Sequence, residues 1–271
     1  MTSPTADRPA AQVTSPQERW LRGFRPATAS ASVRLVCLPH AGGWASFFRT
    51  WTDLLPDTYD HRVVQYPGRE SRMADAYVTE LHELADQVTE ALLPLRDLPL
   101  VLFGHSMGAS LAYEVARRLQ ERGHPPHHLV VSGHGAPSTR RPGTVHTLDD
   151  AAFLERIREL GGIDDAVLRH PELLELVLGP LRNDYRLIET YRPRELPVLS
   201  CPITAVRGDR ETGHTPDQAR AWGELTAGDF ALLTQPGGHF YLKDRAAELI
   251  AELLPRLALP TDLETSDDTR A

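Results

Sequence analysis

The sequence predicts an α/β fold: a mostly parallel central sheet with helices on both faces and a helical lid insertion late in the chain. Three observations carry that prediction. Nearly continuous apolar runs at 33–38, 61–66, 99–103, 128–133, 202–207 and 230–235 alternate with segments of helical periodicity, as parallel strands buried on both faces do. The run at 99–103 leads directly into Gly104-His105-Ser106-Met107-Gly108 and then a helix, a strand–turn–helix unit of the form G-x-S-x-G. From position 137 about 60 residues pass with helical segments but no convincing strand, the mark of an insertion between two strands.

Each element has a local reason. Residues 1–19, with Pro4, Pro9 and Pro16 and little to bury, read as a disordered leader. Trp20, Leu21 and Phe24 are the first apolar cluster, expected to dock on the edge of a domain spanning 20–257. Strand 33–38 ends at Pro39, and His40-Ala41-Gly42-Gly43-Trp44 is a glycine turn opening the helical pattern Phe47, Phe48, Trp51, Leu54, Leu55. Strand 61–66 closes in the loop Pro67-Gly68-Arg69-Glu70. The helix over 78–93 gathers Leu81, Leu84, Ala85, Val88 and Leu92 on one face. The helix over 106–122 stops at Gly123.

After strand 128–133 the lid, at about 137–200, carries helical segments at 148–160, 171–178 and 181–191. Gly161-Gly162 and Gly179-Pro180 punctuate them. Strands 202–207 and 230–235 resume the rhythm, with a helix at 216–223 between them and a last helix at 244–257. The acidic tail 258–271 is expected to be disordered.

Composition narrows the function. A net charge of −8 argues against nucleic acid as the main partner. No apolar run approaches the roughly 18 residues of a membrane span, and the first residues lack the apolar core of a signal peptide. Cys37 and Cys201 sit at strand positions without metal-type spacing and read as buried thiols in a reducing cytoplasm. His124-Pro125-Pro126-His127-His128 has no cysteine or carboxylate beside it, so a surface turn is expected there and no metal site.

Ser106 is the anchor of the chemistry. A serine hydroxyl is a weak nucleophile unless it stands clear of its neighbours beside a base. The sharp turn provides that, provided Gly104 and Gly108 let strand and helix approach closely. The base is His239 in Pro236-Gly237-Gly238-His239-Phe240, directly after the last strand, where a loop carries an imidazole over the carboxyl end of the sheet. The orienting acid should follow the preceding strand, and Gly208-Asp209-Arg210-Glu211 offers two carboxylates. Glu211 is preferred over Asp209, because an Asp after Gly commonly braces its own turn. Oxyanion donors are expected from the backbone N–H groups of Met107 and Ala41.

These segments resemble a known family. Pro39-His40-Ala41-Gly42-Gly43, Pro67-Gly68-Arg69, Gly104-His105-Ser106-Met107-Gly108, Leu181-Arg182-Asn183-Asp184-Tyr185 and Gly237-Gly238-His239-Phe240 run in the order seen in stand-alone type II thioesterases. Those proteins accompany polyketide synthases and nonribosomal peptide synthetases. The resemblance covers about residues 33–257 and departs from the family at Glu211, where Asp is usual. It implies an α/β-hydrolase fold and hydrolysis of acyl groups from the phosphopantetheine arm of an acyl or peptidyl carrier protein. No cofactor or metal is implied. Short acyl groups are expected in a pocket formed by His40, Gly42, Trp44 and Phe240, with Trp44 either narrowing the pocket or packing the lid. Asp184 either braces the lid helices or touches substrate. Arg117-Arg118 or Arg140-Arg141 either dock the acidic carrier or are solvated surface.

The same triad also suits a general carboxylester hydrolase or an acyltransferase. A hydrolase pocket that only binds an acyl ligand is a third reading. Comparing carrier-bound thioesters with oxygen esters separates the first two, and labelling by a serine-directed fluorophosphonate separates the third.

Overall fold

Six of the seven described strands come from the apolar runs, because a strand covered on both faces is mostly apolar, and among the buried exceptions Arg34 and Asp60 are paired with each other at 2.7 Å. The computed structural model describes residues 15–259 apart from 164–166 and 168. The strands are β1 (Leu21–Arg22), β2 (Val33–Leu38), β3 (Tyr59–Val64), β4 (Leu100–His105), β5 (His128–Ser132), β6 (Ile203–Gly208) and β7 (Phe230–Gln235). They pair in the order β1-β3-β2-β4-β5-β6-β7. Among the described strands only the β1–β3 pair is antiparallel, with Leu21 opposite Val64. In the middle, Phe103 of β4 lies opposite Cys37 of β2 and Val130 of β5. Cys37 and Cys201 are buried free thiols, and burial pushes Cys201 up to about 12.

The first helix, α1 (Pro16–Trp20), starts inside the stretch 1–19 expected as leader and ends on Trp20 of the expected domain. A capping box between Ser15 and Glu18 closes it, Trp20 is buried, and the Arg72 guanidinium stacks 3.9 Å over the Trp20 ring. The remaining leader and the tail beyond 259 lie outside the described residues. The helical pattern at 47–55 divides into a 3₁₀ turn at Ala45–Phe48 and α2 (Trp51–Leu54). The second long strand starts two residues earlier than expected, so Tyr66 lies beyond it, with its hydroxyl donating to the Pro39 carbonyl.

Helices α3 (Leu81–Leu92) and α4 (Met107–Glu121) cover one face of the sheet with Leu84, Val88, Leu111 and Val115. The other face is covered by Phe48 and Trp51 and by Leu249, Ile250 and Leu253 from the last helix.

Between β5 and β6 the insertion holds α5 (Asp150–Glu159) and α6 (Pro171–Thr190). Gly179-Pro180 reads as a break between two helices, yet one helix of 20 residues runs through it. The reason is steric. A proline excludes α geometry from the residue before it partly through that residue's Cβ, and glycine has none. A small cluster of Phe153, Ile157 and Leu181 packs the insertion internally. The chain then runs through α7 (Pro216–Arg220), α8 (Tyr241–Asp244) and α9 (Ala246–Leu257). Among the described residues no helix is long and apolar enough to cross a membrane.

Candidate active site

β4 is the middle strand, and its carboxyl end is where an open α/β sheet presents ligands. Ser106 sits there at φ 55° and ψ −118°, a strained backbone for a non-glycine residue. The turn is held by the Ser106 N–H donating to the Ser132 carbonyl at 2.8 Å. A Cβ on Gly104 would be driven into the Gly108 carbonyl, and one on Gly108 into the Leu38 carbonyl. The two glycines are therefore demanded by backbone packing. Met107 opens α4, so its N–H has no acceptor within the helix.

Behind the turn, His105 Nδ1 lies 2.8 Å from Ser132 Oγ, which lies 2.6 Å from Tyr241 Oη. Burial, helped by the neighbouring His239, pushes the His105 imidazole well below its ordinary value. It is a neutral, hydrogen-bonded strut.

The loop after β7 brings His239 to within 5.0 Å, ring centre to ring centre, of His105. Its Nδ1 lies 2.8 Å from Glu211 Oε2, and Glu211 Oε1 accepts the Gly213 N–H at 2.7 Å. Burial opposes the charge on Glu211, but the His239 and Gly213 hydrogen bonds outweigh it and hold the carboxyl below the usual carboxylate range. An ionised acceptor at Nδ1 fixes the tautomer that leaves Nε2 free to take a proton. Asp209 is placed elsewhere. Its Oδ1 accepts the Gly237 N–H at 2.8 Å, bracing the loop that carries the histidine.

The glycine turn after β2 is fixed from three directions. The Gly43 N–H donates to the His40 carbonyl at 2.8 Å, the Gly42 N–H donates to Asp184 Oδ2 at 2.8 Å, and Arg69 Nη1 donates to the Gly43 carbonyl at 3.0 Å. Asp184 braces this loop, and it does so from α6. His40 is buried against Phe47 and Phe240, and burial pushes its imidazole down to about 3.

Ser106, His239, Glu211, His40, Ala41 and Phe240 line one cavity of about 410 Å³ whose far wall is the insertion. Gly42 and Trp44, expected in the pocket, are not on its wall among the described residues. Gly42 faces Leu181 of α6 instead, and Trp44 stands at the N-cap position of the 3₁₀ turn without a side-chain cap hydrogen bond.

The arginine pairs also part company. Arg117 and Arg118 are ion-paired with Glu114, Glu121 and Asp86. Arg140 turns into the cavity wall, and Arg141 is exposed at its edge. At the histidine cluster, His128 belongs to β5, buried and 2.9 Å from Thr204 Oγ1, because the strand begins inside the expected surface turn. Among the described residues no group of three or more His, Cys, Asp or Glu could hold a metal.

Sequence reasoning missed His134 and His214 on the cavity wall, and the partnership of Arg69 with Asp184 across 115 residues. The motifs containing Arg69 and Asp184 were visible, but nothing local pairs them.

A family model described as a thioesterase domain matches residues 33–257. Thioesterase PikA5 of Streptomyces venezuelae is 45% identical over 240 residues, which cover 88% of this chain and 85% of that one. The gramicidin S biosynthesis protein GrsT of Aneurinibacillus migulanus is 35% identical over 233 residues, 85% of this chain and 91% of that one. Among solved structures, the type II thioesterase BorB from the borrelidin biosynthetic cluster superposes with a TM-score of 0.82 at 42% identity, covering 89% of this chain and 98% of that one. The sheet and its covering helices are thus of the α/β-hydrolase type.

Proposed function

The chain belongs to the thioesterase family, and on that premise we propose that it frees acyl groups from the phosphopantetheine arm of acyl or peptidyl carrier proteins. The observation that carries the reading is a strained Ser106 sharing one cavity with a His239 whose Nδ1 is 2.8 Å from a buried carboxylate.

Ser106 Oγ attacks the thioester carbonyl carbon while His239 Nε2 takes its proton. The oxygen becomes an alkoxide facing the Ala41 and Met107 N–H groups, and Glu211 stabilises the imidazolium without taking its proton. Collapse breaks the C–S bond, and the leaving thiolate receives the proton from His239. Water then attacks the serine ester with the same base, releasing the acid and restoring Ser106.

The insertion serves as the lid over the acyl chain. A cavity of about 410 Å³ supports short acyl groups. A panel of acyl-loaded carrier proteins, with oxygen esters of the same acids alongside, tests the reading. Rapid release from the carrier, lost in Ser106→Ala, is expected. Faster turnover of the oxygen esters, or release that survives Ser106→Ala, would refute it.

A further inference from the structure

We infer that Ser132, the last residue of β5, is a positioning residue that locks the Ser106 turn and the His239 loop into one register. The inference rests on the serine-based thioester hydrolysis proposed above and adds a residue to its machinery.

Ser132 is fully buried, opposite His105 of β4 and Val206 of β6. Its two polar groups act in different directions. The carbonyl accepts the Ser106 N–H at 2.8 Å, so it fixes the backbone of the nucleophile itself. The hydroxyl lies 2.8 Å from His105 Nδ1 and 2.6 Å from Tyr241 Oη. Tyr241 is buried and opens α8 just beyond His239, with its N–H donating to the Gly238 carbonyl at 3.2 Å. One residue therefore holds the nucleophile turn by its backbone and the base-bearing loop by its side chain.

His239 needs that second hold. Glu211 grips its Nδ1 at 2.8 Å, but one hydrogen bond leaves an imidazole free to pivot about it, and Nε2 would not stay aimed. Asp209 holds the loop before the histidine, through the Gly237 N–H. Ser132 holds it after the histidine, through Tyr241. Two glycines make the room this requires. Gly133 has a φ of +63°, and a Cβ there would lie 2.6 Å from His105 Cε1 and 3.4 Å from His239 Cε1. Gly237 has a φ of +135°, and a Cβ there would lie 2.9 Å from the Tyr241 Cβ. The bracing matters because a displacement of about 1 Å at the reacting groups can cost about a hundredfold in rate.

The test uses the full chain and two readouts: steady-state hydrolysis of butyryl-N-acetylcysteamine, and the rate at which a fluorophosphonate labels Ser106. Tyr241→Phe deletes one hydroxyl and keeps the ring, and Ser132→Ala deletes the other hydroxyl. Each should lower kcat about ten- to a hundredfold with KM little changed, and slow labelling in parallel. Because the two hydroxyls act as one unit, the double variant should be no slower than the slower single variant. A serine that only filled space would lower the melting temperature and leave kcat unchanged. Tyr241→Phe with wild-type kcat and labelling rate overturns the inference, whether or not Ser132→Ala folds. So does a double variant whose loss is the product of the two single losses. In either case a wild-type protein that hydrolyses the thioester leaves the proposed function standing. A wild type that neither hydrolyses it nor takes up the label sinks both.

Discussion

Asp184 accepts the Gly42 N–H at 2.8 Å while it grips Arg69 through two hydrogen bonds of 2.7 and 2.9 Å. Both charged side chains are almost fully buried, and Arg69 also reaches the Gly43 and Pro67 carbonyls. A buried ion pair repays its desolvation only when its remaining hydrogen-bonding groups are satisfied, as they are here. The consequence is mechanical: one carboxylate ties α6 to the loop that carries Ala41, the proposed oxyanion donor.

The first prediction follows from that contact. Asp184→Asn is nearly isosteric and retains an acceptor for Gly42, but it loses the charge opposite Arg69. Displacing an oxyanion donor should cost less than the roughly 10²- to 10³-fold of deleting one, so a fall in kcat of about tenfold is expected with KM little changed. Asp184→Ala abandons the Arg69 charge in the interior and should destabilise the protein by about 3–5 kcal/mol. Steady-state kinetics and chemical unfolding of both variants check these outcomes. An Asp184→Asn enzyme with wild-type kcat would show that the loop needs no such brace.

The two carboxylates after β6 separate cleanly in kinetics. Glu211→Gln replaces the ionised acceptor at His239 Nδ1 and allows the wrong tautomer, so turnover should fall by about four orders of magnitude. Asp209→Asn keeps an oxygen for the Gly237 N–H and should cost less than about tenfold. Turnover rates of the two variants under one assay decide between them. A larger loss in Asp209→Asn would contradict the 2.8 Å contact between Glu211 and His239 as the working one.

What could be seen in advance divides along physical lines. The strands of the sheet centre and the turn at Ser106 were legible, because burial on both faces and a tight turn leave local marks in residue type. The two-residue strand Leu21–Arg22 left none, since its pairing is set by β3 and not by its own composition. Gly179-Pro180 misled because a break signal and a tolerated helical joint use the same residues. The nearness of Trp44 to Ala41 in sequence suits the pocket and the lid equally, because it does not say where a side chain points. The contact of Ser132 with Tyr241, across 109 residues, arises only when β5 and the segment after β7 converge.

The glycines of the turn at Ser106 make a steric prediction. In Gly108→Ala the new methyl meets the Leu38 carbonyl of the neighbouring strand, and backbone has little room to yield. A loss of at least about 2 kcal/mol is expected, with β2 and α4 pushed apart. Gly123→Ala is the comparison. No atom lies within 4 Å of its added Cβ, but its φ of +77° remains strained, so it should cost about 1–2 kcal/mol. Urea unfolding of both variants ranks them, and a Gly108→Ala protein as stable as Gly123→Ala would contradict the close approach of strand and helix.

Acid should unfold this protein earlier than its carboxylates alone would require. Burial lowers six imidazoles: His40 to about 3, His61, His128 and His214 to about 4, and His105 and His134 well below their ordinary value. In the unfolded chain each returns to about 6.5. Between about pH 6.5 and 4 the unfolded state therefore binds more protons than the folded one, so stability rises with pH and is lost as pH falls. Each buried imidazole steepens that loss by up to about 1.4 kcal/mol per pH unit. Glu211 has the same sign but acts lower, because its carboxyl is held below the usual range and its contribution goes only as pH drops through that depressed value. The melting temperature should be level above pH 7 and fall steeply between pH 6.5 and 4.5. His214→Gln should flatten the slope by about one proton's worth. A melting temperature constant from pH 7 to 5 would mean that these imidazoles are not held neutral in the interior.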